Sequence, residues 1–242
     1  MPPTQQLLGW LPLDWIAAPR AASTEILAGA GSSQQPTGAG LAQRLGLPQD
    51  GLRGHHPLPW WATASYEGPL RHELLQLRQM AGSAYWQGRL DRLLQACMPG
   101  LASCLLADLD ELIQAPLLVP IPSWKRRANP LPGAFAQQLG QVMGWRIDAN
   151  LLCRRRPVLG QHHLGRQLRW ANQAEAFVCA PRPRQRRGPR QPLLLVDDIL
   201  TTGATLWGAA ETLRLAGWRV AGACCLARTP AKRSKKAKGA VI

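Results

Sequence analysis

Apolar residues recur at three- and four-residue spacing through residues 66–114, where Leu70, Leu74 and Leu77 are followed by Leu90, Leu93 and Leu94. That period places them on helix faces turned to a core. Gly82, Gly88 and Pro99-Gly100 interrupt it, so two or three helices are expected rather than one. At Ala115 the pattern changes. Pro116-Leu-Leu-Val-Pro-Ile-Pro122 is a short apolar run bounded by prolines, as in a buried strand that ends in a loop. Residues 135–143 read as a helix, with Gly144 as its stop. Residues 193–200 are the clearest strand. Residues 205–216 follow as a helix with Leu206, Ala209, Ala210 and Leu213 on one face and Gly217 at its end. A further strand is expected over residues 218–226. Strand, helix, strand in that order predicts an α/β protein with a parallel sheet and right-handed crossovers.

The remaining stretches lack such periods. Residues 1–64 are rich in Gly, Ser, Gln and Pro, most densely between Gly29 and Gly40, and read as an irregular N-terminal region. Trp10, Trp15, Trp60 and Trp61 need a surface to cover, so short elements packed on the later domain are expected there. Residues 154–177 are basic and mostly polar, residues 182–190 form a Pro/Arg-rich connector, and Lys232 to Lys238 form a basic tail. The resulting division is an irregular region over 1–64, a helical segment over 65–114, an α/β domain over 115–229 and the tail over 230–242.

Composition narrows the function classes. With 242 residues and 46% apolar content the chain buries a core and is not a disordered polymer. Its net charge of +15, from 29 Lys and Arg against 14 Asp and Glu, favours acidic partners: phosphorylated metabolites, nucleic acid or an anionic membrane surface. The six cysteines form no CxxC pair, so no structural zinc is expected. Cys224 and Cys225 sit in an apolar run and read as small core residues. No signal peptide is expected from the opening residues, no run reaches the length of a membrane span, and a reducing cytoplasm is the expected compartment.

The chemistry is concentrated in Leu193-Leu-Leu-Val-Asp-Asp-Ile-Leu-Thr-Thr-Gly-Ala-Thr205. Four apolar residues make a strand buried on both faces. Asp197 and Asp198 follow near its carboxyl end, where open α/β sheets bind ligands. A turn of Thr201, Thr202, Gly203, Ala204 and Thr205 then leads into a helix. The unpaired N–H groups and dipole of that helix start attract an anion, the threonines add hydroxyl donors, and Gly203 removes a Cβ from the path of a phosphate. The acids would repel the phosphate. They suit ribose hydroxyls, or Mg²⁺ directly or through water. The plain alternative is that Asp198 caps a turn and Thr202 caps a helix, which accounts for one Asp and one Thr but not for the whole set.

This segment resembles, at every position, the 13-residue phosphoribosyl pyrophosphate (PRPP) signature of type I phosphoribosyltransferases. The resemblance implies a Rossmann-like core, binding of the PRPP 5′-phosphate by the turn, and ribose contacts from Asp197 and Asp198. A second block is similar to ComF (competence protein F) proteins in particular: Leu152, Arg154, Arg156, Gln161, Leu164, Arg169, Asn172 and Ala176-Phe177 follow that family's pattern, and Val158 departs from it. Tyr66-Glu-Gly-Pro-Leu-Arg71 and Val119-Pro-Ile-Pro122 resemble two further family segments, so the likeness spans about residues 66–229. The family's four-cysteine zinc finger has no counterpart in residues 1–64, which contain no cysteine. Asn129-Pro-Leu-Pro-Gly-Ala-Phe135 stands where the family has an Arg-Gly-(Phe/Tyr)-Asn-Gln run, so that loop's function does not carry over.

By the same resemblance the region after Val119-Pro-Ile-Pro122 holds pyrophosphate. Ser123, Lys125, Arg126 and Arg127 follow it there, and cations with backbone amides stabilise departing pyrophosphate; the alternative is a solvated basic loop. Arg154, Arg156 and Arg169 lie where such enzymes carry a mobile hood, as anion contacts for the ligand or for nucleic-acid phosphates. His162-His163 could form an acid–base or metal pair, but with no third ligand type nearby they read rather as exposed loop residues. The reaction implied is displacement of Mg²⁺-bound pyrophosphate by a nitrogen nucleophile of undetermined identity, through an oxocarbenium-like state. The expected function is thus a PRPP-binding protein linked to DNA uptake in natural transformation, either a phosphoribosyltransferase or a catalytically silent binder of PRPP or DNA phosphate. Single-stranded DNA and competence machinery proteins are the expected partners beyond PRPP, at a cytoplasmic or inner-membrane peripheral location.

Overall fold

The structure, a computed structural model, describes residues 38–110, 112, 114–123, 129–155, 176–181 and 191–230. In chain order the elements are α1 (Gly38–Leu45), β1 (Leu52–Gly54), β2 (Trp60–Ser65), α2 (Gly68–Met80), α3 (Trp86–Leu109), β3 (Leu117–Pro120), α4 (Leu131–Met143), β4 (Leu152–Arg154), β5 (Phe177–Cys179), β6 (Leu193–Leu200), α5 (Ala204–Leu215) and β7 (Val220–Arg228). Five strands form one sheet in the order β1-β2-β7-β6-β3. β2, β7, β6 and β3 run parallel, and β1 closes one edge antiparallel to β2. β4 and β5 pair as a separate antiparallel ribbon.

Alternation along the central strand divides the core into two layers. Leu194 and Val196 of β6 join α2, α3 and α4 through Leu70, Leu74, Leu77, Leu101, Leu105 and Phe135. Leu193 and Leu195 face the other way, onto Leu206, Ala209, Ala210 and Leu213 of α5 and onto Leu152 and Phe177 of the β4–β5 ribbon. A sheet covered on both faces needs continuous apolar strands, and Leu193-Leu-Leu-Val196 provides one. The expected α/β class and parallel sheet are therefore present, with the strand at residues 193–200 at its predicted bounds.

Two expectations are revised. Trp60–Ser65 falls in the region read as irregular, yet it is a sheet strand between β1 and β7, in register from Trp60 opposite Ala223 to Ser65 opposite Arg228. Its Trp-Trp-Ala-Thr-Ala-Ser composition does not alternate because the strand is covered on both sides. Trp61 donates its indole N–H to Asp108 of α3 (2.8 Å), and buried Thr63 donates to the Leu226 carbonyl. Residues 66–114 form two helices, within the expected number, but of the predicted interruptions only Gly82 falls between them; Gly88, Pro99 and Gly100 lie inside the 24-residue α3. Exposed Pro99 leaves a carbonyl for water to satisfy. Gly100 allows close approach of the α1–β1 connection, because a Cβ there would stand 2.6 Å from the Gln49 carbonyl oxygen. Gly144 ends α4 in the left-handed region (φ 67°), as its position predicts. Among the described residues no helix is long and apolar enough to cross a membrane.

Candidate functional site

The carboxyl ends of the parallel strands bring together four segments: Ser65-Tyr66 after β2, Arg228-Thr229 after β7, Asp197 to Thr205 from β6 into α5, and Ile121-Pro122-Ser123 after β3. The turn between β6 and α5 is held from below. Arg228 reaches across and donates to the carbonyls of Leu200 (3.1 Å), Thr201 and Thr229 (2.9 Å), while its guanidinium lies 5.5 Å from the Trp60 ring centre. Those bonds give the carbonyls at the end of β6 and the start of the turn a common partner. The first-turn N–H groups of α5 have no intrahelical acceptors, and the dipole adds positive potential at the same place. Thr201 is exposed, Thr202 and Thr205 are half-buried, and the Thr202 hydroxyl accepts from the Ala204 N–H at 3.4 Å.

Gly203 has a reason the sequence did not disclose. Its φ of +82° is left-handed, and a Cβ would stand 2.5 and 2.6 Å from Cδ and Cγ of Pro57. Backbone conformation and the packed β1–β2 loop therefore both require glycine there.

The two acids occupy different surroundings. Asp198 is 3% exposed. Its Oδ2 accepts from Arg78 Nε (2.8 Å), Arg78 Nη2 (2.5 Å) and Asn129 Nδ2 (2.6 Å), and its Oδ1 accepts from the Ile199 N–H (2.8 Å). Burial opposes the Arg78 charge, but the attraction of Asp198 outweighs it and holds the Arg78 pKa above its ordinary value. Asp197 is half-buried, and its Oδ1 accepts from the Asp198 N–H (2.9 Å). Burial, and then repulsion by Asp198, push its carboxyl well above the usual range, against the pull of the Asp198 N–H and the Arg78 charge.

Arg154, at the end of β4, bends toward the same edge. Its Nε donates to the Pro122 carbonyl (2.8 Å), and its guanidinium stacks 4.5 Å from the Phe177 ring centre. Among the described residues its Nη1 is buried without a hydrogen-bond partner. Burial lowers its pKa and the Asp197 charge raises it in part, which places the two groups within electrostatic reach. An arginine fixed in this way with a donor to spare is suited to an anion.

The structure thus gathers Asp197, Asp198, Thr201, Thr202, Gly203, Ala204, Thr205, Ser123 and Arg154 at one edge. Lys125, Arg126, Arg127, Arg156, Arg169 and His162-His163 lie outside the described residues. Arg78, Asn129, Arg228 and Pro57 carry no signal of their own in the sequence. Arg78 lies one position past Leu77 on a helix whose visible signal is its leucine stripe. Asn129 opens the segment that departs from the ComF pattern, and it has a definite place: besides binding Asp198, its Oδ1 accepts from the Leu131 N–H at the start of α4 (3.2 Å). Among the described residues no group of three or more His, Cys, Asp or Glu stands ready to hold a metal ion.

A doubly covered parallel sheet with paired acids and a threonine-rich turn at its carboxyl edge defines a phosphoribosyltransferase-like protein, and the family model described as the phosphoribosyl transferase domain matches residues 187–242. Two relatives are DNA utilization proteins YhgH of Salmonella typhi and Salmonella typhimurium, each 30% identical over 206 residues, or 78% of this chain and 87% of theirs. The protein of the same name from Escherichia coli O6:H1 is 29% identical over 201 residues, covering 75% of this chain and 83% of its own. The chain belongs to the ComF-type, phosphoribosyltransferase-like family that includes these proteins.

Proposed function

We propose that this protein binds PRPP, or a closely similar ribose 5-phosphate compound, together with Mg²⁺, and that it serves the handling of incoming DNA in natural transformation. The observation that carries the reading is the turn at Thr201 to Thr205, whose carbonyls are engaged by Arg228 and whose helix-start N–H groups face the carboxyl edge of the sheet. The 5′-phosphate sits on those N–H groups and the threonine hydroxyls. The ribose hydroxyls lie at the signature acids. Arg154, whose Nη1 has no partner among the described residues, together with Ser123, Lys125 and Arg126 receives the diphosphate, and Arg156 and Arg169 complete the anion contacts.

Mg²⁺ fits this set because half-buried Asp197 offers a hard carboxylate oxygen beside the position of the diphosphate; when bound, the ion neutralises charge that builds on the leaving group. If the bond is broken, Arg154 and the basic loop bind the diphosphate more tightly as charge moves onto it. The names of the relatives and the charge of +15 favour a second reading, in which the same cradle holds a 5′-phosphate of DNA without turnover. Calorimetry with PRPP and Mg²⁺, followed by assay of pyrophosphate release with candidate bases, separates the readings. Heat and release support the enzyme, and heat without release supports the silent binder. Absence of heat with millimolar PRPP refutes both forms of PRPP binding.

A further inference from the structure

We propose that the β1–β2 hairpin braces the phosphate turn, and that Trp60 and Pro57 are positioning residues of the site. They act on ligand affinity through Arg228 and Gly203 rather than by contact with the ligand. This deepens the ribose 5-phosphate reading and rests on it for the ligand's identity.

The two tryptophans that open β2 point to opposite faces of the sheet. Trp61 is buried with the leucines of α2 and α3, and its indole N–H is held by Asp108. Trp60 packs in the other layer, the one that holds Leu58, Leu200 and the apolar face of α5. Gly54 stands opposite Trp60 in the hairpin, and a Cβ there would lie 2.5 Å from Cζ2 of the indole, so the ring is seated on its own hairpin. Its centre also lies 5.5 Å from the Arg228 guanidinium, within reach of a cation–π contact. The loop between the strands makes a second contact. Leu58 is buried in the same layer and anchors the loop, and beside it Pro57 packs on Gly203.

Both contacts end on the segment that carries the phosphate turn. The carbonyls of Leu200, Thr201 and Thr229 all accept from one nitrogen of Arg228, Nη1. That nitrogen has fewer hydrogens than acceptors, so the bonds are shared and depend on the direction of the rigid guanidinium plane. The Trp60 ring limits how far the plane can turn. Pro57 acts further along, where the backbone of Gly203 is left-handed. A phosphate is bound by several N–H groups that must converge on it, and a turn already fixed gives up less freedom on binding. Loosening either contact therefore costs affinity even where the fold survives. Both strands of the hairpin and their loop lie outside the residues matched by the domain model. The signature is thus held in shape by a part of the chain that it does not include.

Calorimetry with ribose 5-phosphate and with PRPP, each with Mg²⁺, tests the brace on the full chain well below its melting temperature, with thermal unfolding measured in parallel. Trp60→Leu is expected to lower affinity about three- to tenfold, as for loss of one cation–π contact to a partly buried charge. Trp60→Phe is expected to recover part of that loss, and Pro57→Ala to show a smaller one, about twofold. Trp61→Phe removes the bond to Asp108 on the opposite face; it is expected to lower Tm and leave affinity unchanged. Because Trp60 acts through Arg228, the double variant Trp60→Leu/Arg228→Met is expected to bind no more weakly than Arg228→Met alone. Full affinity in folded Trp60→Leu would overturn the proposal. So would an equal loss in Trp61→Phe, since stability alone would then explain both. Full affinity in Pro57→Ala would remove Pro57 from the brace. If the unmutated protein binds neither compound, the ribose 5-phosphate reading falls and the brace is judged on unfolding. Coupled effects of Trp60→Leu and Arg228→Met on stability then sustain it, and additive effects refute it.

Discussion

Replacing Gly203 by alanine should cost stability for two separable reasons, each visible in the geometry. The first is conformational. At φ +82° an L-residue with a Cβ costs about 1–2 kcal/mol relative to glycine. The second is steric. The new methyl group would stand 2.5 Å from Cδ and 2.6 Å from Cγ of Pro57, well inside contact distance, and a proline ring cannot swing away as the tip of a long side chain can. Forced overpacking of this kind costs about 1–3 kcal/mol. Together they predict a loss of about 2–5 kcal/mol, which for a chain of this length lowers Tm by roughly 4–20 °C. Pro57→Ala should relieve the steric part and leave the conformational part. The double variant Pro57→Ala/Gly203→Ala is therefore expected to be more stable than the sum of the single changes by about 1–3 kcal/mol. Thermal and denaturant unfolding of the four proteins measures this directly. A Gly203→Ala protein as stable as its parent would refute the reasoning, and additivity in the cycle would refute the Pro57 contact.

Arg228→Met should loosen the phosphate turn by removing the donor to three carbonyls, with a loss of about 1.5–3 kcal/mol and weaker PRPP binding by calorimetry; unchanged Tm and affinity would remove Arg228 from the account. Burial pushes the Cys97 thiol up to about 12 and raises Cys224 and Cys225 well above their ordinary value, so these thiols stay protonated at pH 8. Alkylation of the folded protein followed by mass spectrometry should therefore mark exposed Cys153 first, and equally fast labelling of Cys224 or Cys225 would contradict the packed sheet. Single-stranded DNA should bind with steep salt dependence through the basic stretches at residues 154–169, 182–190 and 232–238, and removing residues 231–242 should flatten the slope without abolishing PRPP binding; salt-insensitive binding, or none at low ionic strength, rejects charge-driven contact.

The β6–turn–α5–β7 unit is legible in the sequence because each part carries a strong local signal. Leu193 to Val196 are continuously apolar, the acids and threonines cluster where the strand stops, and Gly217 ends the following helix. Less legible are features that depend on which residues meet across the fold. The leucines of α2 reveal its buried face, but nothing local shows that Arg78 reaches an acid 120 positions away. Trp60–Ser65 lacks alternation because both its faces are covered, so the strand that completes the sheet reads as irregular chain. Pro99-Gly100 carries a helix-breaking signal that exposure of one residue and close packing at the other offset. Gly203 stands out in the sequence for its openness to phosphate, while the geometry that demands it includes Pro57 from a distant loop.

The central claim is that a 5′-phosphate rests on the turn at Thr201 to Thr205 with its ribose beside Asp197 and Asp198. Backbone amide resonances of isotope-labelled protein, followed while ribose 5-phosphate is added in the presence of Mg²⁺, test it most directly. The account predicts saturable shifts centred on the amides of Thr201, Thr202, Gly203, Ala204 and Thr205, accompanied by Asp197, with small changes in α1 and in the middle of α3. Shifts absent from this turn at saturation, or a ligand that never saturates, would contradict it.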